Sequence, residues 1–91
     1  MQEFKSVWDA IEDTPEEAAH MKLRAQLMRE AERIIRARGW NQAEAARHLK
    51  LTQPRVSDLM RGKVDLFSLD KLVTILAAAG ATIEIRTHEA A

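Results

Sequence analysis

The chain has 91 residues, 46% of them apolar, no cysteine and a formal net charge of zero. That length supports one small domain with a modest core. The absence of cysteine excludes a disulfide framework or a thiolate metal site as its support. No apolar run approaches the roughly 20 residues of a membrane span, and the N-terminus lacks a basic stretch followed by an apolar one, so the expected location is the cytosol.

The neutral total conceals an uneven distribution. Residues 1–20 set Lys5 against Glu3, Asp9, Glu12, Asp13, Glu16 and Glu17, a net charge of −5. Residues 21–63 carry eleven Lys and Arg against four acidic residues, a net +7, and residues 64–91 come to −2. A basic middle behind an acidic head suits a nucleic-acid face, with a second, basic partner for the head. A solvated surface of mixed charge is the plainer alternative.

In chain order, the first stretch places Phe4, Val7, Trp8 and Ile11 at helical spacing. It reads either as a short helix docked on the body or as one that orders on binding a partner. Residues 1–13 therefore form an acidic N-terminal segment, and 14–91 the main domain. Thr14-Pro15-Glu16-Glu17 is a helix start, with Thr14 as cap, Pro15 in the first turn and Glu17 completing a capping box. The spacing predicts a first helix to Arg38, with Leu23, Leu27, Ala31, Ile34 and Ile35 inward and Gly39 as its stop. Arg24, Arg29, Arg33 and Arg36 fall largely off that stripe, as on a solvated side.

Asn41, with Glu44 three residues on, starts a second helix over about Gln42–Leu49 that buries Ala45, Ala46 and Leu49. Lys50-Leu51 makes the turn. Thr52 is expected to cap the third helix, although the bias of a residue before proline against helical angles leaves Gln53 as an alternative cap. Pro54 falls in the first turn, where its missing N–H would have had no partner. Gly62 ends this helix. Ser68 caps a fourth, with Leu69, Leu72, Val73, Leu76 and Ala79 inward and Gly80 as its stop. Ala81-Thr82-Ile83-Glu84-Ile85-Arg86 alternates with period two and predicts a strand, which has no second strand in the chain to pair with.

On a helical wheel the third helix buries Val56, Leu59 and Met60. Pro54, Ser57, Asp58 and Arg61 point outward, flanked by Arg55. An amphipathic surface helix would look the same. The difference lies in the combination of a very short turn, a bracing helix, and an outer face that is short-chained in the middle and basic at its edges. Such a face lets the backbone approach a groove while the ends meet phosphates. Asn41 and Gln42 stand at the start of the bracing helix, where free N–H groups favour a phosphate.

Gln42, Ala46, Leu49, Thr52, Gln53, Val56, Ser57, Leu59 and Gly62 match, without a gap, the helix-turn-helix of the phage repressor/Cro class, also called the XRE class. Phe67-Ser68-Leu69-Asp70-Lys71-Leu72 and Gly80-Ala81-Thr82-Ile83-Glu84-Ile85 resemble a narrower branch that includes HigA-type antitoxins. The similarity runs from about Glu16 to Arg86. The resemblance implies an all-α, four- to five-helix repressor-like domain whose C-terminal strand pairs across a dimer. It makes Gln42 a phosphate anchor and Gln53 a base reader, a residue that the wheel places toward the buried side. Pro54 and Asp58 take the other base-facing positions, Pro54 offering apolar contact and Asp58 either accepting from a cytosine amino group or penalising wrong sites. Arg55, Arg61 and Lys63 become phosphate contacts. The chain departs from the class at Lys50, where a turn glycine is usual, and at Met60, where an acidic residue is common. Lys50 then requires a strained or differently shaped turn.

Other chemistry is weakly represented. His20, His48 and His88 lack metal-ligand spacing. Ser57 and Asp58 are neighbours on a helix and diverge from any hydrolytic arrangement with His48. Met21, Met28 and Met60 fit core spacing. No cofactor, metal or enzymatic activity is expected. The function expected is that of a sequence-specific, nucleoid-associated repressor, the antitoxin of a toxin–antitoxin pair that controls its own promoter. Duplex DNA, a second copy and a small basic ribonuclease-like toxin are the expected partners, the toxin meeting Phe4, Val7, Trp8 and Ile11. The alternatives are a stand-alone phage-type or metabolic regulator and, from another class, a protein-interaction scaffold without DNA binding.

Overall fold

Helix α1 (Pro15–Arg38) starts where Thr14 turns to extended angles and Pro15 enters with its φ already suited to a helix. In the computed structural model, which describes residues 14–89, the Thr14 carbonyl accepts the Ala18 N–H at 3.0 Å. The Thr14 side chain makes no cap hydrogen bond, so the capping box expected there is not formed. Glu16 and Glu17 in the first turn still favour the positive end of the helix dipole. Three further helices follow: α2 (Gln42–Leu49), α3 (Gln53–Met60) and α4 (Leu69–Ala78), with a 3-10 turn at Val64–Leu66 before the last. At α2 the capping box is complete, the Asn41 side chain accepting from Glu44 N and the Glu44 carboxylate from Asn41 N, both at 2.8 Å. Thr52 caps α3 through its hydroxyl, and Ser68 caps α4.

All four described helices end by the same device. An N–H two or three residues beyond the last helical residue reaches back five positions: Trp40 to Ile35, Leu51 to Ala46, Lys63 to Asp58 and Ala81 to Leu76, at 2.9–3.2 Å. This closure requires a left-handed residue just before that N–H. Gly39, Gly62 and Gly80 supply it at three ends, but α2 uses Lys50, at φ 58° and ψ 44°. The strained form of the turn is therefore the one adopted.

The long α1 lies chiefly on α4, and α2 lies on α3; α1 also touches α3 and the 3-10 turn, and α2 touches α4. One core joins Leu27, Met28, Ala31 and Ile35 of α1 to Ala45, Ala46 and Leu49, Val56 and Leu59, Phe67, and Leu72, Ile75, Leu76 and Ala79. Alanines in α2 let the short helices approach closely, and Ala45 is fully buried. Four stripe residues of α1 and α4 depart from expectation. Leu23 and Val73 are each 43% exposed, and Ile34 and Leu69 are half-buried. Ile75 and Phe67, which the stripes did not select, are buried instead.

The C-terminal residues 81–89 form no strand, and none occurs among the described residues. A strand is defined by a ladder of hydrogen bonds, and one extended segment without a partner has none. The tail runs beside α1 instead, where Ala81–Arg86 and the α1 residues Leu23, Gln26, Leu27, Glu30, Arg33 and Ile34 face a shared groove. Phe4, Val7, Trp8 and Ile11 lie outside the described residues. No described helix is long and apolar enough to cross a membrane.

Candidate nucleic-acid interface

The outer face of α3 is set by what its inner face must bury. Val56 and Leu59 are wholly removed from solvent and Met60 is half-buried, which fixes the rotation of this two-turn helix on the core. Gln53, Pro54, Arg55 and Arg61 are then exposed, while Ser57 and Asp58 sit half-buried between them. Gln53, which the wheel turned toward the core, is the first residue of α3 and stands in solvent. Its position before the first full turn frees it from the stripe. Thr52 is exposed, and its hydroxyl accepts the Arg55 N–H at 3.3 Å. Its side chain thus sets the start of the helix whatever else it touches.

The bracing helix presents Gln42 as its exposed first residue. Asn41 beside it is committed to the capping box, and Glu44 occupies the Asn41 N–H. That N–H is therefore taken, and a carboxylate stands at the end of α2 where a phosphate was expected. Gln42 is the better placed of the two for an anion.

The basic residues divide into two populations. On α1, Arg33 pairs with Glu30 at 3.0 Å and Arg36 with Glu32 at 2.8 Å, exposed pairs of the kind worth little to stability. Half-buried Arg24 crosses to the Phe67 carbonyl at 3.4 Å. On this side carboxylates of the same helix match Arg33 and Arg36. Around α3, Arg61 is exposed, while Arg55 and Lys63 converge on Asp58. The carboxylate lies 3.8 Å from Arg55 and 3.7 Å from Lys63. Arg55 also lies over the Phe67 ring, its guanidinium carbon 5.4 Å from the centroid, and donates to the Leu66 carbonyl at 3.4 Å. The structure thus gathers three of the residues expected to meet DNA into one cluster.

Two supports were not evident from residue spacing. Trp40 stacks on His48 of α2 with centroids 4.1 Å apart and planes 8° from parallel, and Arg38 lies 5.2 Å from the Trp40 centroid. This fixes the angle between the end of α1 and the brace. Its signal was the large apolar residue just before a capping box, the position that often staples a helix start. The other is Phe67, 2% exposed, which carries Arg55 on its ring and accepts Arg24 at its carbonyl. It follows the 3-10 turn rather than lying on a helix, so no periodicity could single it out. No cluster of His, Asp or Glu able to hold a metal occurs among the described residues.

A family model described as a helix-turn-helix domain matches residues 10–88 of the chain. No curated protein matches it.

Proposed function

Because the chain belongs to the helix-turn-helix domain family, we propose that it is a sequence-specific DNA-binding repressor, with α3 entering the major groove and α2 bracing it across the backbone. The observation that carries this is the two-sidedness of α3. Its inner side is fixed by fully buried Val56 and Leu59, and its outer side presents Gln53, Pro54 and Arg61 to solvent. Gln53 at the helix tip pairs with an adenine, Pro54 meets an apolar group such as a thymine methyl, and Gln42, Arg61 and Lys63 contact phosphates.

At a finer level the chain acts as the antitoxin of a toxin–antitoxin pair and controls its own promoter. Its resemblance to the HigA-type branch after Phe67 supports this, as does the acidic charge of residues 1–20, which suits a small basic toxin. The domain works as a dimer, since one helix-turn-helix reads only a few base pairs. Ile83 and Ile85, 38% and 83% exposed, offer the apolar contact. Residues 81–86 pair antiparallel with the same residues of a second copy.

A footprint on the DNA upstream of the chain's own reading frame tests the proposal. A protected palindromic site, lost as salt rises, is expected. Absence of any protected site at low salt would leave the domain a protein-interaction scaffold.

A further inference from the structure

We propose that Asp58 sets specificity by holding Arg55 and Lys63 in the free protein, so that phosphates gain these two cations only at a site that compensates the Asp58 carboxylate. This role rests on the DNA binding proposed above. The Asp58 side chain is 23% exposed, against 48% for Arg55 and 47% for Lys63. The carboxylate is therefore the least hydrated member of the cluster and the one most dependent on its partners. One oxygen faces Arg55 and the other faces Lys63. Lys63 is tied to the same residue a second time, its backbone N–H donating to the Asp58 carbonyl at 3.1 Å. Arg55 is kept near by the Phe67 ring and the Leu66 carbonyl.

Three charges in this arrangement present one net positive charge to a distant phosphate, where Arg55 and Lys63 alone would present two. Drawing either cation onto the backbone leaves Asp58 less neutralised, at the edge of a groove already lined with negative charge. That cost falls on every sequence. It is offset where a base donor, such as a cytosine amino group, reaches the freed carboxylate oxygen. A residue that repels most sites and is satisfied at a few lowers affinity and raises discrimination together.

The test is Asp58→Asn, which keeps shape and removes charge. Binding of the full chain to a labelled duplex of its own upstream DNA, and to an unrelated duplex of equal length, is measured by fluorescence anisotropy across salt concentrations. Asp58→Asn is expected to bind the unrelated duplex about 3–10-fold tighter, with a salt slope steeper by roughly 0.5–0.9. The ratio of specific to non-specific affinity should fall about tenfold. Asp58→Glu, which keeps the charge, should retain most of the discrimination. Should Asp58→Asn lose its helical signal, Asp58→Ser removes the same charge and is read the same way. If the charge-free variant loses affinity for both duplexes alike, or keeps the wild-type slope and ratio, the role assigned to Asp58 is wrong while DNA binding stands. If the wild-type chain binds neither duplex, DNA binding itself fails, and the role of Asp58 with it.

Discussion

Lys50 offers a direct measure of the strain that this turn contains. Its left-handed backbone costs an L-residue about 1–2 kcal/mol. Glycine at the same position escapes that cost and gives back about 0.4–1 kcal/mol through the greater freedom of its unfolded chain. The Lys50 side chain is exposed, so its removal forfeits little packing. It does forfeit a favourable charge near the C-terminus of α2, worth about 0.3–1 kcal/mol. Lys50→Ala isolates that electrostatic part, because alanine keeps the Cβ and hence the strain. Relative to Lys50→Ala, Lys50→Gly should be more stable by about 0.5–1 kcal/mol, a rise in Tm of roughly 2–8 °C for a domain of this size. Urea and thermal unfolding followed by far-ultraviolet circular dichroism provide the assay. A glycine variant no more stable than the alanine variant would refute the argument, since it would mean that the left-handed turn carries no strain for glycine to relieve.

Phe67→Ala, which empties a site 2% exposed, should cost about 3–5 kcal/mol; an unchanged urea midpoint would show that the core closes without it. Gln53→Ala should cost about 1–3 kcal/mol of operator binding and relax preference at one base position, as read from binding to single-base variants of the operator. Lys63→Ala should instead weaken operator binding with no change in preference at any single base position, and flatten the salt slope there by about 1 or less. Ile83→Pro, or truncation after Gly80, should yield monomers with sharply reduced operator affinity, because about 1.5–3 kcal/mol per buried isoleucine is lost. Sedimentation showing the intact chain itself to be monomeric at tens of micromolar would contradict this. Deleting residues 1–13 should abolish toxin neutralisation and spare DNA binding, whereas a loss of folding would assign those residues to the domain.

Every helix boundary in the described region except the end of α2 was marked by chemistry within a few residues of it. The Asn41–Glu44 box, the Thr52 and Ser68 hydroxyls, Pro15 and the glycines at 39, 62 and 80 act through backbone angles and through hydrogen bonds spanning at most five positions. Such signals are local, so the residues at each boundary are enough to read them. The end of α2 carries no such mark: Lys50 stands out only against the turn glycine of the class the chain resembles, which leaves a strained or a differently shaped turn open, and the left-handed one is adopted. Burial along a stripe is not local. Leu23 has the right spacing for the core, but α1 carries it beyond the other helices to the groove beside the C-terminal tail. Phe67 has no stripe at all and is buried because the chain folds back beneath Arg55 and Arg24. Charge followed the same division. The excess of basic residues between 21 and 63 could be counted, but their distribution could not. Arg33 and Arg36 are matched on α1, while Arg55 and Lys63 are drawn together on Asp58. The Asp58–Lys63 pair joins α3 to the loop beyond it and depends on how the chain turns at Gly62. The alternation at Ala81–Arg86 expressed a capacity to pair. Pairing itself requires a second strand, which the described part of this chain does not contain.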